Sequence, residues 1–145
     1  MMTVDVEVEP PISIGPSPKG EVRVIPFVSG RFDGGPGLRG VLLPGGTDWQ
    51  TVRADGALEI RAHYLLETEQ GERIEVVSDG IRDAAPDVLA RLAAGDDVPV
   101  DQYYFRTSVR FATSTERLLH LNSTLAVATG ERRKSAVHLV IHRVP

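Results

Sequence analysis

GRFDGGPGLRGVLLPGGTDWQTVR, residues Gly30–Arg53, decides how the rest of the chain is read. It holds seven of the chain's fourteen glycines, two of its ten prolines and its only tryptophan. Gly34-Gly35-Pro36-Gly37 and Pro44-Gly45-Gly46 bracket a short apolar run, Leu38 to Leu43. Glycine admits backbone conformations and close approaches closed to other residues, and proline fixes turns. Two such clusters so close together cost chain entropy, which a packed context must offset. Thr47-Asp48-Trp49-Gln50 follows, an acid beside a large aromatic. Two readings stand: the rim of a pocket, or a buried tryptophan beside a capping aspartate.

Downstream, Asp55-Gly56 is a hairpin signal. Residues 57–68 then alternate, with Leu58, Ile60, Ala62, Tyr64 and Leu66 on one face and Glu59, Arg61, His63, Leu65 and Glu67 on the other. Gln70-Gly71 turns the chain, residues 73–78 return it, and Asp79-Gly80 reads as a further turn before Ile81-Arg82. Residues 103–113 form a long β-type run, with Tyr104, Arg106, Ser108 and Arg110 on one face and Tyr103, Phe105, Thr107, Val109 and Phe111 on the other. Further strands are expected over 124–129 and 136–144, separated by a basic turn at 130–135. One helix is expected over about 86–94. Pro86 suits its first turn, Asp87 its positive end and Gly95 its αL stop. So short a helix must pack on something. The open end of a barrel is the obvious surface, as a lid or as a packed connection.

Upstream, Val4, Val6 and Val8 alternate with Asp5, Glu7 and Glu9, as in an edge strand whose acids discourage pairing. Residues 15–20 read as a connector, so that 1–19 form an N-terminal arm or edge strand and linker. Residues 21–28 read as a strand, with Pro26 implying an edge or a bulge. The sum is eight or nine short strands. That predicts an all-β chain of one domain over residues 1–145 with one short helix, and favours a barrel or a sandwich over other all-β arrangements. A barrel of this size is filled by side chains or holds one small ligand.

Composition narrows the chemistry. With no cysteine among 145 residues, disulfides, thiolate catalysis and cysteine-bound metal are excluded. The net charge of −4 is spread over both signs without a basic stripe, which argues against nucleic acid. The acidic N-terminus is unlike a signal peptide, and no apolar run is long enough to cross a bilayer. A cytoplasmic location fits. No His-Glu-x-x-His, Gly-x-Ser-x-Gly or Walker motif occurs. His138 and His142 stand about 13 Å apart along a strand, too far to share a metal. No metal and no cofactor are expected.

Gly30-Arg31-Phe32, Gly37-Leu38-Arg39-Gly40 and Leu43-Pro44-Gly45-Gly46-Thr47-Asp48-Trp49-Gln50 resemble the signature of the DUF3237 family, also called UPF0311. Tyr104-Phe105-Arg106-Thr107, Leu121-Asn122 and Val127-Ala128-Thr129-Gly130 agree with it, so the resemblance runs from about Gly20 to the end. It implies a small antiparallel β-barrel and leaves the function open. Against the family pattern, Arg61 and His63 stand in place of Asp and Arg, Gln70 in place of a turn Asp, and His120 in place of an aromatic such as Trp.

The site candidates follow from chemistry. Asp48 beside Trp49 is the acid/base candidate, because an aromatic wall desolvates a carboxylate and raises its pKa. Arg106, among aromatics, clamps a carboxylate or enolate, or else forms a structural pair with Asp48. His63 is a second acid/base candidate, or an outer-face residue. Trp49, Tyr64 and Tyr104 are binding candidates. His120 with Asn122 lines a pocket mouth, or is a core histidine. The leading expectation is a cofactor-independent cyclase, isomerase or lyase. It would act by proton transfer on a small, partly apolar, oxygenated molecule, in a setting such as a natural-product pathway. The alternatives are a non-catalytic ligand-binding barrel and a structural homo-oligomer, in its simplest form a homodimer.

Overall fold

The computed structural model describes all residues 1–145. Ten strands occur: β1 Met2–Val8, β2 Ile12–Ser17, β3 Gly20–Asp33, β4 Arg39–Leu42, β5 Thr47–Val52, β6 Leu58–Thr68, β7 Arg73–Ala84, β8 Tyr103–Ala112, β9 Leu125–Arg132 and β10 Ala136–Arg143. The helix α1, Pro86–Ala93, joins β7 to β8. Short 3₁₀ turns lie at Val100–Gln102 and Glu116–Ser123. Neighbours are β1-β10-β9-β8-β7-β6-β4-β3, and β1 pairs with β3 to close the ring. β4 and β5 occupy one position in turn, both lying between β3 and β6. The barrel therefore has eight strand positions, all antiparallel, with β2 added to the outer end of β3.

Period-two alternation makes this barrel. On β6 every second side chain from Leu58 to Thr68 is buried, and on β8 every second one from Tyr103 to Phe111. The buried set is the more apolar face in each case, as sheet closure around a dry core requires. One half of the interior is solid, packed by Phe32, Leu42, Leu66, Ile74, Phe111 and Ile141 and closed by Leu118 and Leu121 of the second 3₁₀ turn.

The glycine-rich stretch builds one barrel position from two strands. Four residues, 43–46, separate Leu42 from Thr47, whereas their β6 partners Leu66 and His63 are separated by only two. The excess of two residues is even, so Leu42 and Asp48 both face inward. Gly45 takes φ +98° at this bulge, and a Cβ on Gly46 would lie 2.6 Å from the Tyr64 Cβ. The bare glycine is what lets Tyr64 pack edge-on against Phe27, with ring centroids 5.6 Å apart.

Several sequence expectations are corrected. β1 is not an edge strand, since it pairs with β10 on one side and β3 on the other. The expected connector at 15–20 is largely strand, β2, paired with the start of β3. Pro26 neither ends β3 nor lies on its edge. Its carbonyl accepts from Glu9 N, so its own nitrogen faces the same side, where β2 pairing stops at Val24 and β1 pairing starts at Phe27. A missing N–H costs nothing there. A bulge does follow at Val28, between the pairs Val8–Phe27 and Glu7–Ser29.

Asp79-Gly80 is not a turn, and β7 runs straight through it to Ala84. Gly80 is there for closeness, because a Cβ would come within 2.0 Å of the Arg106 carbonyl oxygen. Likewise β9 continues through Gly130 to Arg132. There the Phe105 ring lies 2.6 Å from where a Gly130 Cβ would be.

α1 matches its expected span. It ends at Gly95, φ +81°, with Gly95 N donating to Leu92 O and Asp96 N to Arg91 O. Val88 and Leu92 are buried. Leu89 touches Gly56 of the β5–β6 hairpin, and Gly95 lies beside Lys134 of the β9–β10 hairpin. The 85–99 segment thus crosses the end of the barrel opposite the solid half. No helix is long and apolar enough to cross a membrane.

Candidate functional site

The half of the barrel beneath α1 is not solid. It encloses a cavity of about 40 Å³, measured as room for the centre of a water molecule. One water needs roughly 10–15 Å³ on that measure, so a few waters or one small polar group fit without rearrangement. Ten of the sixteen lining residues are hydrophobic, including Val6, Ile25, Phe27, Ile60 and Phe105. The other six are Asp48, Gln50, Ser78, Arg82, Thr107 and Arg132, and with the hydroxyl of Tyr64, itself one of the ten, the polar groups come from five strands, β5 to β9.

Asp48 is 9 % exposed and faces inward on β5. Its Oδ2 accepts from Gln50 Nε2 at 2.7 Å and its Oδ1 from the Arg61 backbone N–H at 3.2 Å. Burial pushes its pKa above the ordinary carboxylate value, against those two hydrogen bonds and the pull of Arg82 and Arg23. Gln50 in turn accepts from Arg23 Nε at 2.9 Å, so Arg23, Gln50 and Asp48 form a chain.

Arg82 is 7 % exposed, and its Nε is buried without a hydrogen-bond partner. Burial first, then repulsion from Arg132 and Arg23, pushes its pKa down to about 10. Arg132 is partly buried and donates to the Ala136 carbonyl at 3.2 Å, while its backbone N–H donates to the Tyr103 hydroxyl at 3.0 Å. Tyr64, 3 % exposed, also has an unpartnered hydroxyl. Desolvation pushes its phenol pKa up, so it keeps its proton. Ser78 donates to Thr107 at 2.8 Å on the cavity wall.

Of the residues singled out in the sequence, the structure brings Asp48 and Tyr64 to this cavity. Arg106 lies on the outer face of β8, 5.1 Å over the Tyr104 ring, and donates to the Phe105 carbonyl. It is therefore neither a clamp beside Asp48 nor its ion-pair partner. Trp49 is 41 % exposed on the outer face of β5, so it is neither a cavity wall nor buried. Tyr104 also points out. His63 is on the outer face of β6, 2.9 Å from Glu75. His120 is exposed in a 3₁₀ turn, not in the core. Asn122 accepts from Thr113 N and donates to the Thr113 and Leu119 carbonyls, pinning that turn to the residue that follows β8. No three metal-ligating side chains converge anywhere in the chain.

The sequence reading missed Arg23, Gln50, Arg82 and Arg132. A signal for two of them existed. Arg82 shares parity with Ile74, Val76 and Ser78, and Arg132 with Ala126 and Ala128. Reading turns at Asp79-Gly80 and from Gly130 onward broke both runs before the arginines.

The comparisons agree with this architecture. The family described as "Protein of unknown function (DUF3237)" matches residues 1–144. A UPF0311 protein of Bradyrhizobium diazoefficiens is 31% identical over 144 residues, 99% of this chain and 93% of its own. A UPF0311 protein of Clostridium acetobutylicum is 30% identical, covering 99% and 91%. Among solved structures, a conserved protein of unknown function from Rhodopseudomonas palustris superposes with a TM-score of 0.93 at 31% identity, covering 99% and 93%. A β-barrel-like protein from Acinetobacter baumannii gives 0.85 at 34%, covering 100% and 93%. A crystal structure described as an enzyme from Penicillium herquei gives 0.69 at 21% identity, covering 98% and 91%, and shares the fold. With its barrel, its full-length family match and these relatives, the chain belongs to the DUF3237 (UPF0311) family.

Proposed function

We propose that the cavity under α1 binds part of a small, partly apolar, oxygenated molecule and catalyses a proton transfer on it, with Asp48 as the general base. The observation that supports this is the placement of one carboxylate, its pKa raised by burial, in a mostly apolar cavity. A general base near neutral pH needs that direction of shift. Asp48 would take a proton from carbon or oxygen and return it elsewhere on the same molecule, which is the chemistry of an isomerase, a cyclase or a lyase. Such steps exchange no electrons with a second reagent. Gln50 fixes the carboxylate, and Tyr64 offers a donor where negative charge develops.

The test is hydrogen–deuterium exchange of a panel of enolisable aryl ketones and phenols in D2O, followed by NMR. Catalysed exchange is expected from the wild type. Asp48→Asn should lower it by about 10²–10⁴-fold, the usual contribution of a positioned base. Unchanged turnover in a folded Asp48→Asn protein would falsify the assignment. The second reading, a carrier or sensor barrel, is favoured by the apolar majority of the wall. It predicts binding without exchange.

A further inference from the structure

Charge in the cavity is unbalanced. Arg82 and Arg132 line it and Arg23 reaches it through Gln50, whereas Asp48 is the only acid on its wall. Even with Asp48 ionised, three guanidiniums meet one carboxylate. That carboxylate does not neutralise them through hydrogen bonds, because its partners are Gln50 and the Arg61 backbone. Arg23 is turned to Gln50 and Arg132 to the Ala136 carbonyl, which leaves Arg82 Nε with nothing. A buried donor without a partner is costly, and more so when the group is charged. A second such donor, the Tyr64 hydroxyl, lines the same cavity. Two unpartnered donors, each more than nine-tenths buried, together with surplus positive charge, describe a receptor for an acceptor-rich anion.

We propose that the cavity is a recognition site for a carboxylate head group, held by Arg82 Nε with Tyr64 as a second donor and Arg132 and Arg23 as the surrounding field. This deepens the function proposed above and rests on it, naming the ligand class. A carboxylate is favoured over phosphate by size, since about 40 Å³ admits a planar two-oxygen group more readily than a tetrahedral dianion. A planar carboxylate also suits the guanidinium edge. The apolar wall from Ile25, Phe27, Ile60 and Phe105 surrounds the carbon that carries the head group, and an aryl or alkyl body behind it requires the cavity to widen beyond its resting volume of about 40 Å³. An aromatic or medium-chain monocarboxylic acid satisfies both halves. Asp48, on the same wall, would meet the carbon skeleton or a hydroxyl of that acid.

The experiment is a ¹⁵N-HSQC titration of the full chain with benzoate and with benzamide, its neutral near-isostere, repeated on Arg82→Met and Arg82→Lys. Benzoate is expected to shift the amides of β5, β7 and β9 around Asp48, Arg82 and Arg132, and to bind at least about tenfold more tightly than benzamide. Arg82→Met should abolish that preference and Arg82→Lys restore part of it, with both spectra remaining dispersed. Equal binding of the two probes inside the barrel would overturn the carboxylate assignment and leave the ligand-binding barrel standing. Entry of neither probe would overturn both. Benzoate shifts confined to outer-face residues such as Arg106 would place the anion elsewhere and overturn the assignment as well. Should inorganic phosphate displace benzoate from the cavity at equal concentration, the head-group class would be phosphate and the carboxylate claim would fail.

Discussion

Gln50 Nε2 donates to Asp48 Oδ2 at 2.7 Å, two residues away on the same inward face of β5. Neighbours on one face of a strand are spaced about 7 Å apart at their backbones, so this bond pulls both side chains together. The amide dipole partly compensates the carboxylate for lost water, yet burial still wins and the pKa rises. Asp48 is thus held at a standing cost, as expected of a residue placed for chemistry rather than for stability.

That cost has a pH signature. In the unfolded chain Asp48 titrates at its ordinary value, 3.8, and in the folded chain higher. Between the two values the folded state holds a proton that the unfolded state has lost, so stability falls as pH rises through that window. Asp48→Asn has no such loss. Urea midpoints measured from about pH 3.5 to 7 should show the variant gaining on the wild type as pH rises from 3.8. A gap that stays constant across this range would mean that the folded-state pKa is not raised.

Arg82→Met replaces a buried, unpartnered guanidinium by an apolar side chain of similar length. Such an exchange removes the desolvation cost of an unpaired buried charge. The melting temperature should not fall. A lower one would show that Arg82 holds the barrel together rather than serving a ligand.

Gly80→Ala should be among the most damaging single-methyl changes in the chain. The added carbon meets backbone, the Arg106 carbonyl at 2.0 Å, and neither strand can move without breaking the β7–β8 ladder. A loss of about 2 kcal/mol or more is expected, at or above the upper part of the overpacking range. A glycine in an ordinary turn, as Asp79-Gly80 reads in sequence, would tolerate the change far better. Chemical denaturation separates the two cases.

The outer-face substitutions Arg106→Ala, His63→Ala and Trp49→Ala should each leave benzoate binding and deuterium exchange unchanged. Their effects on stability should stay within about 0.5 kcal/mol, because each side chain is exposed. Loss of ligand binding in any of them, with the fold intact, would move the site from the interior to the outer sheet.

These contrasts show what was legible in the sequence. Alternation on β6 and β8 was complete, so strand identity, and with the family motifs the barrel, could be read directly. Parity alone does not say which face is inside. The Tyr104–Arg106 face carries eye-catching chemistry, but its partner face, Tyr103 to Phe111, is the more apolar and turned inward. The hydrophobic effect decides that choice. Arg82 and Arg132 were hidden for a different reason. Gly80 and Gly130 look like local turn signals, yet both are demanded by distant groups, the Arg106 carbonyl and the Phe105 ring. Close approach across a sheet and freedom in a turn call for the same residue. β1 reads as an edge in sequence because its closing partners, β3 and β10, lie far from it along the chain.

That closure bears on how the protein is made. Met2 pairs with Ile141, so the ring's last seam joins residues separated by nearly the whole chain. During synthesis β1 leaves the ribosome first but cannot be sealed on its second side until β10 follows. For that interval it carries three valines and an open backbone edge. Asp5 and Glu7 on its outward side are residues of the gatekeeper type, charges that discourage aggregation of such an edge. Once the ring closes, the same acids face partners on both neighbouring strands, Asp5 at 2.7 Å from His138 of β10 and Glu7 accepting from Ser29 of β3, so charges that guard the open strand become cross-strand contacts in the closed one.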